Sequence, residues 1–249
     1  MSQRIIYGRN PVKEVLRADP SRIFLVYYQP DLDKEGRKLV AAIRSHKIPV
    51  ESCDKTTLGN LCKVRQHQGI AARVIDIKNA SLNQLWRVKP EGLSVLLLSA
   101  VQDPGNLGAV IRSAEHFGID LLIIGSKESC SVQLPSVAKA SAGAVEHLPI
   151  LSSSNLPKVL EELKEKNFKI IGLEAGASQN LFSQIRQKKD NTCLILGSEG
   201  FGIKKNLDRF IDLTVKIPRV GLTESLNLSA ASLAGVLWLK NIFNPGDNS

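Results

Sequence analysis

Residues 103–118, DPGNLGAVIRSAEHFG, set an amide, a bare glycine and a guanidinium at intervals that one helix can use. Asn106 is placed to cap that helix. Leu107, Val110, Ile111, Ala114 and Phe117 repeat at helical spacing and give it an inward stripe. Arg112 lies off the stripe. A helical side chain leans toward the N-terminus over the residue four positions earlier, here Gly108, so the guanidinium can reach back toward Asn106. A guanidinium stays charged and offers only donors, which suits holding a phosphate or stabilising an emerging oxyanion. Read alone, Arg112 is as well a solvated surface charge and Asn106 merely a cap.

Two further stretches carry groups of the same kind. Residues 193–202, CLILGSEGFG, run from a buried strand into a glycine-rich turn with one carboxylate, Glu199. Glu199 is the natural charge partner for Arg112, because a planar bidentate pair would fix the guanidinium; the alternative is a turn carboxylate in solvent. Residues 213–231, LTVKIPRVGLTESLNLSAA, read as a strand ending at Pro218, a loop, and a small-residue helix headed by Ser225 and Asn227. Those two side chains suit a site and suit helix capping equally. No Lys-Ser/Thr follows the glycine turn to make a phosphate-binding Walker loop, and no GxGxxG opens a helix. Nucleoside triphosphatase, dinucleotide oxidoreductase and Rossmann-type methyltransferase readings therefore fare poorly.

Together and in this order, the three segments resemble the SpoU/TrmH-type RNA ribose 2′-O-methyltransferases of the SPOUT superfamily, over essentially the whole chain. The first family motif corresponds to Asn106, Gly108 and Arg112. The second corresponds to Gly197, Glu199, Gly200 and Gly202, and the third to Ile217, Pro218, Ser225, Leu226, Asn227 and Ser229. Gly105 stands where a histidine is frequent, and Ser99-Ala100 replaces a more usual Asp-Gly. The resemblance implies S-adenosyl-L-methionine as cofactor, held by Leu196, Gly197, Glu199, Gly200, Ile217, Pro218, Leu226 and Asn227, and no metal. It implies Arg112 as the catalytic arginine, with Asn106, Glu199, Ser225 and Asn227 holding it and the ribose. Acting as a base, Arg112 would first have to give its proton to a substrate phosphate or another acceptor. The plainer reading is that cationic Arg112 orients the target phosphate and stabilises the alkoxide. The branch most resembled acts on a guanosine of 23S ribosomal RNA, so the implied partners are that RNA or a large-subunit assembly intermediate, and a second copy in a homodimer. The alternatives are a tRNA 2′-O-methyltransferase, or a non-catalytic RNA-binding or ribosome-assembly protein on the same fold.

Elements that would position these residues can be read from periodicity. The fold class is α/β. Residues 1–75 alternate short strands and helices, with a helix at 11–17, a strand at 22–28, a helix at 34–45, a strand at 49–51, a helix at 56–62 and a strand at 70–75. By resemblance this segment is the L30e-like RNA substrate-binding domain. Residues 76–92 form a polar linker in which Leu82, Leu85 and Trp86 predict a short docked helix. Residues 93–249 make the methyltransferase domain, with five parallel-type strands at 93–98, 120–125, 168–174, 192–197 and 213–218. Helices are expected after Asn106 and at 135–142, 155–166, 180–185 and 226–243. Periodicity cannot show a knot, but the resemblance implies a deep trefoil knot made by the last strand and helix. The small residues Ala230, Ala231, Ala234 and Gly235 permit close helix packing, inside a subunit as easily as between two.

Charge is unevenly spread along the 249 residues, whose net is +9. Residues 1–76 hold 14 Lys/Arg against 8 Asp/Glu, whereas residues 93–249 hold 16 against 15. Such asymmetry is the electrostatic footprint expected for a phosphate backbone. The four cysteines show no CxxC spacing and no nearby histidine set, so buried reduced thiols are expected. No apolar run approaches membrane-spanning length and the first residues lack the apolar core of a signal peptide, which fits a cytoplasmic enzyme without membrane contact. His67 could touch RNA or be a structural loop histidine, and His46, His116 and His147 carry no partner pattern.

Overall fold

Two sheets form from strands of different character. The computed structural model describes residues 2–198 and 202–242. In chain order the first elements are β1 (Gln3–Tyr7), α1 (Arg9–Ala18), β2 (Ile23–Tyr28), α2 (Lys34–Ser45), β3 (Val50–Ser52), α3 (Lys55–Cys62) and β4 (Ile70–Ile75). Their sheet has the order β1-β4-β2-β3, with β4 antiparallel to both neighbours and β3 parallel to β2. Local chemistry sets the helix starts. Asp33 accepts the Gly36 N–H at 2.9 Å to cap α2, and Asp54 accepts the Thr57 N–H at 2.8 Å to cap α3. β1 was not anticipated; five residues near the N-terminus give too short a window for a period.

The second part of the chain continues with α4 (Leu82–Val88), β5 (Ser94–Leu98), α5 (Pro104–His116), β6 (Leu121–Gly125), α6 (Pro135–Ala140), β7 (Ile150–Ser153), α7 (Leu156–Glu165), β8 (Lys169–Leu173), β9 (Gln179–Asn180), β10 (Thr192–Leu196), β11 (Leu213–Lys216) and α8 (Leu228–Leu239). Its seven strands pair in parallel in the order β7-β6-β5-β10-β8-β11-β9. Every residue of β5, β6 and β10 is buried, as expected of central parallel strands. Leu82 joins the core beneath α7, with Leu85 and Trp86 packed against it, so the short helix expected in the linker forms and docks.

Three sequence expectations need correction. Seven strands replace five, because β7 is a half-buried edge strand and β9 only two residues long. The helix expected at 180–185 is β9 followed by a single 3-10 turn, Leu181–Ser183, set by the Asn180 side chain accepting the Phe182 N–H at 2.9 Å. The last helix begins at Leu228 and not at 226, since Asn227 caps it; its expected end at 243 lies outside the described residues.

By contacts the chain divides into two units, Met1–Lys78 with Ser131–His147, and Asn79–Cys130 with Leu148–Ser249. Segment 131–147, which carries α6, thus packs with the N-terminal sheet.

Candidate active site

Parallel register brings the motif-bearing loops to one edge of the second unit. Leu98 lies across from Leu196, Leu196 across from Leu173, and Leu173 across from Val215. The C-terminal ends of β5, β10, β8 and β11 are therefore level, and the chain leaves each of them on the same side. Between β5 and β10 the strand order reverses, with β6 and β7 to one side and β8, β11 and β9 to the other. In open α/β sheets ligands settle at such a switch point.

The first motif sits on α5, but its cap is Asp103. That carboxylate accepts the Asn106 N–H at 2.6 Å, with Pro104 and Gly105 inside the first turn. Proline is favoured at a helix start, where its missing N–H has no helical partner to lose. The expectation that Asn106 caps is corrected, and its side chain is left for another task. Asn106 Oδ1 accepts a hydrogen bond from Asn227 Nδ2 at 3.1 Å. Asn227 in turn caps α8, its Oδ1 accepting the Ser229 N–H at 2.8 Å and the Ser229 hydroxyl at 2.6 Å. One amide thus ties the third motif to the first. Arg112 is exposed, with Gly108 buried one turn before it, and has no ion pair or hydrogen bond among the described residues.

The two described ends of the second motif, Gly197–Ser198 and Gly202–Ile203, meet closely. A Cβ at Gly197 would stand 2.0 Å from the Gly202 carbonyl carbon and 2.4 Å from the Ile203 nitrogen. Ser198 and Gly202 exchange backbone hydrogen bonds of 3.1 and 3.2 Å, with Gly202 at φ 67°. Only a residue without Cβ fits at 197. Glu199 and Gly200 lie outside the described residues, so the expected Arg112–Glu199 pair does too. Sequence reasoning missed Glu174, the last residue of a segment read as strand. Its Oε1 accepts the Ile203 N–H at 3.4 Å, bracing the same turn. A carboxylate directly after a buried strand was the available signal.

The third motif is open. Leu196 is buried at the end of β10, Ile217 is half-buried, and Pro218, Ser225 and Leu226 are exposed. From Ile217 to Leu226 no residue makes a hydrogen bond among the described residues. Ser225 is therefore no cap. Directly after β5, next to the end of β10, the Ser99 hydroxyl is buried and without a partner among the described residues, its N–H donating to the Leu196 carbonyl at 3.0 Å. Unsatisfied main-chain groups beside a buried strand end fit a ligand recognised by backbone hydrogen bonds. The small face of α8 is used within the unit at one position, where a Cβ on Gly235 would lie 2.4 Å from Leu194 Cδ2. No group of His, Cys, Asp and Glu among the described residues could hold a metal ion.

Comparison with known proteins gives this geometry a context. The SpoU rRNA Methylase family profile matches residues 94–236, and a profile for RNA 2′-O ribose methyltransferase substrate binding matches residues 5–79. A protein of Staphylococcus aureus named as a TrmH family tRNA/rRNA methyltransferase is 32% identical over 251 residues, covering 98% of this chain and 96% of its own. One of Staphylococcus haemolyticus with the same name is 32% identical over 254 residues, covering 100% of both chains. Among solved structures, the SpoU methyltransferase AviRb of Streptomyces viridochromogenes with the cofactor AdoMet superposes with a TM-score of 0.80 at 21% identity, over 96% of this chain and 90% of that one. A TrmH-family protein of Porphyromonas gingivalis superposes with a TM-score of 0.77 at 24% identity, over 96% and 90%.

Proposed function

As the chain belongs to the SpoU/TrmH family of RNA methyltransferases, we propose that it methylates a ribose 2′-hydroxyl of RNA, using S-adenosylmethionine as cofactor. The observation that carries this reading is the Asn227–Asn106 bond at the level ends of β5, β10 and β11, which puts parts of two motifs in one place. The cofactor supplies an activated methyl on a sulfonium. Leu196, Gly197, Ile217, Pro218, Leu226 and Asn227, with Glu199 and Gly200 of the second motif, hold it, chiefly through main-chain groups.

Arg112 orients the phosphate beside the target ribose and stabilises negative charge as the hydroxyl oxygen loses its proton. It touches no carboxylate among the described residues, so its donors stay available for that anion. Asn106 and Asn227 fix the neighbouring helix starts, and Ser225 contributes a hydroxyl from the open loop. Positioning does much of the work, since orientation of reactants can supply roughly 7–11 kcal/mol in favourable cases.

The target assigned is a guanosine of 23S ribosomal RNA, free or in an assembling large subunit, in the cytoplasm. In this reading residues 1–75 form an L30e-like substrate domain, 76–92 a linker and 93–249 the catalytic domain, whose last helix completes a trefoil knot. Dimerisation is supported by apolar side chains left in solvent, Val220, Leu222, Leu226 and Leu233.

The test is calorimetric titration with S-adenosylmethionine, alongside methyl transfer to unmodified ribosomal RNA and to unmodified tRNA. Transfer to the ribosomal RNA is expected; transfer only to tRNA reassigns the substrate, and neither binding nor transfer overturns the enzyme. Arg112→Ala is expected to abolish transfer and leave cofactor affinity within about twofold, whereas a large loss of cofactor binding would refute its assigned role.

A further inference from the structure

Segment Ser131–His147 falls inside the stretch matched by the methylase profile, yet it packs with the N-terminal sheet. Side chains bind it there. The Glu146 carboxylate is fully buried between Arg4 and Arg22, the second at 2.8 Å. Gln133 exchanges two hydrogen bonds with the Ile77 main chain, at 3.0 and 2.9 Å. Gly143, at φ 90°, lies so near α1 that a Cβ would stand 2.7 Å from Glu14 Cβ.

One residue of this arm is not explained by packing. Lys139 runs to Gly8, where its Nζ is 2.8 Å from the point a Cβ would occupy and Gln68 Oε1 is 2.9 Å from that same point. Gly8, Gln68 and Gly69 all have positive φ, at 94°, 57° and 74°, so three loop residues with special backbone meet the lysine at one end of the unit. Arg9 is next to it, its N–H donating to Gln68 Oε1 at 3.2 Å and its guanidinium paired with Asp33 at 2.7 Å. The Lys139 ammonium has no ion pair or hydrogen bond among the described residues, although the residue's carbonyl accepts the Ala142 N–H at 3.1 Å. Its half-burial pushes the ammonium below the ordinary lysine pKa, with no carboxylate opposing the shift. A partly desolvated cation without a counter-charge is costly in the free protein and becomes favourable when an anion arrives.

We propose that the arm completes the RNA-binding surface of the N-terminal unit, with Lys139 contacting an RNA phosphate at the loop end formed by Gly8, Arg9 and Gln68. The inference rests on the reading of the chain as an RNA methyltransferase and assigns part of its substrate surface to a segment outside the substrate-binding profile. The excess of cations in residues 1–76 fits the same polyanion. Lys139 adds to that excess from a distant part of the sequence.

The experiment measures binding of in vitro transcribed, unmodified 23S ribosomal RNA to the full chain across a salt series. Each phosphate contact contributes about 0.7–0.9 to the slope of log affinity against log salt. Lys139→Gln is expected to weaken binding about threefold to tenfold at low salt and to flatten the slope by nearly one unit, with the melting temperature and S-adenosylmethionine affinity unchanged. Lys139→Arg should restore both. Lys158→Gln, on the exposed side of α7, should leave the slope as it is. An unaltered slope in Lys139→Gln, or an equal change in Lys158→Gln, overturns the assignment and leaves the enzyme standing. A wild-type chain that binds this RNA without salt dependence removes the assignment too, while methyl transfer in the same preparation decides whether the enzyme reading falls with it.

Discussion

Arg186 offers a quantitative test of how the last helix is held. Its guanidinium is buried without a carboxylate partner and donates to Thr192 Oγ1 at 3.0 Å and to the carbonyls of Leu239 at 2.9 Å, Asp190 at 2.8 Å and Leu93 at 3.2 Å. Burial lowers its pKa from the usual arginine value, with Asp190 and Asp120 opposing the shift. Leu239 is the last residue of α8, so the arginine pins that end of the helix to the starts of β5 and β10. Arg186→Ala removes these four bonds and a longer fifth, to the Gly92 carbonyl at 3.4 Å. The Leu93 carbonyl keeps the Thr192 N–H at 2.9 Å, but no other hydrogen bond to the Asp190 carbonyl is seen among the described residues. Hydrogen bonds from a charged group contribute about 1.5–3 kcal/mol each and do not add, and loss of one member of a buried charged network costs about 3–5 kcal/mol. Because two acceptors keep another donor, Leu93 from the Thr192 N–H and Leu239 from the Ser94 hydroxyl at 3.5 Å, the lower end of that range, about 3 kcal/mol, is expected.

Native-state hydrogen exchange reads that loss where it occurs. The α8 amides should exchange about a hundredfold faster, given a tenfold change for every 1.4 kcal/mol, while those of β2 and β4 keep their rates. Trp238 gives a second report, since its Nε1 donates to the Gln184 carbonyl at 2.9 Å, close by in the chain. Arg186→Lys should fall between, because an ammonium retains charge but not the planar fork. An α8 exchange rate within threefold of wild type would show that the carbonyls are satisfied without the guanidinium, and the reasoning would be wrong.

Three further outcomes follow from other contacts. Gly197→Ala should weaken S-adenosylmethionine binding at least tenfold by calorimetry, because the new Cβ would lie 2.0 Å from the Gly202 carbonyl carbon and force the turn open; unchanged affinity would mean the turn does not shape the site. Glu146→Gln leaves two guanidinium groups in the N-terminal unit without their shared carboxylate, at a cost of about 3–5 kcal/mol. Exchange in residues 131–147 should rise accordingly, and a change under threefold counts against the bridge. Burial pushes the Cys62 thiol up to about 11, with Cys53 adding to it, and raises Cys193 further. A raised pKa keeps a thiol protonated below that value, so at about pH 8 a disulfide reagent should modify neither in the native protein and both after unfolding; prompt native labelling of Cys193 would contradict its burial.

The parts legible in the sequence are those decided locally. Residues 93–98 and 192–197 read as buried strands because continuous apolar runs bounded by turn residues need no tertiary information. Asn227 was readable as a cap or a site residue; the structure shows the cap, together with a bond to Asn106. What was not legible depends on partners distant in sequence. Asp103 outcompetes Asn106 as cap because an aspartate before Pro104 meets the first free N–H groups better than an asparagine inside the turn. Edge strands such as β7 and β9 carry little hydrophobic signal, since their pairing comes from β6 and β11. The association of 131–147 with the N-terminal sheet depends on Glu146 meeting Arg4 and Arg22 more than a hundred residues earlier, which no local pattern reveals.

Few of the residues that build the site carry chemistry. The loop from Ile217 to Leu226 makes no hydrogen bond among the described residues, so its path is set by its two ends. One end is Lys216, paired with Asn180 of β9; the other is Asn227, bonded to Asn106 and capping α8. A ten-residue segment anchored only at its ends retains conformational freedom, and a ligand that satisfies its main-chain groups must meet the cost of ordering it. That cost falls as the anchors come closer to their bound positions. The position of Asn227 depends on α8, which Gly235 lets down onto Leu194 at one face and Arg186 fastens at Leu239. If the proposed assignment of this loop to the cofactor holds, loosening Arg186 at the opposite end of the helix should appear as weaker cofactor binding before any loss of the sheet, through the entropy of a loop the guanidinium never touches.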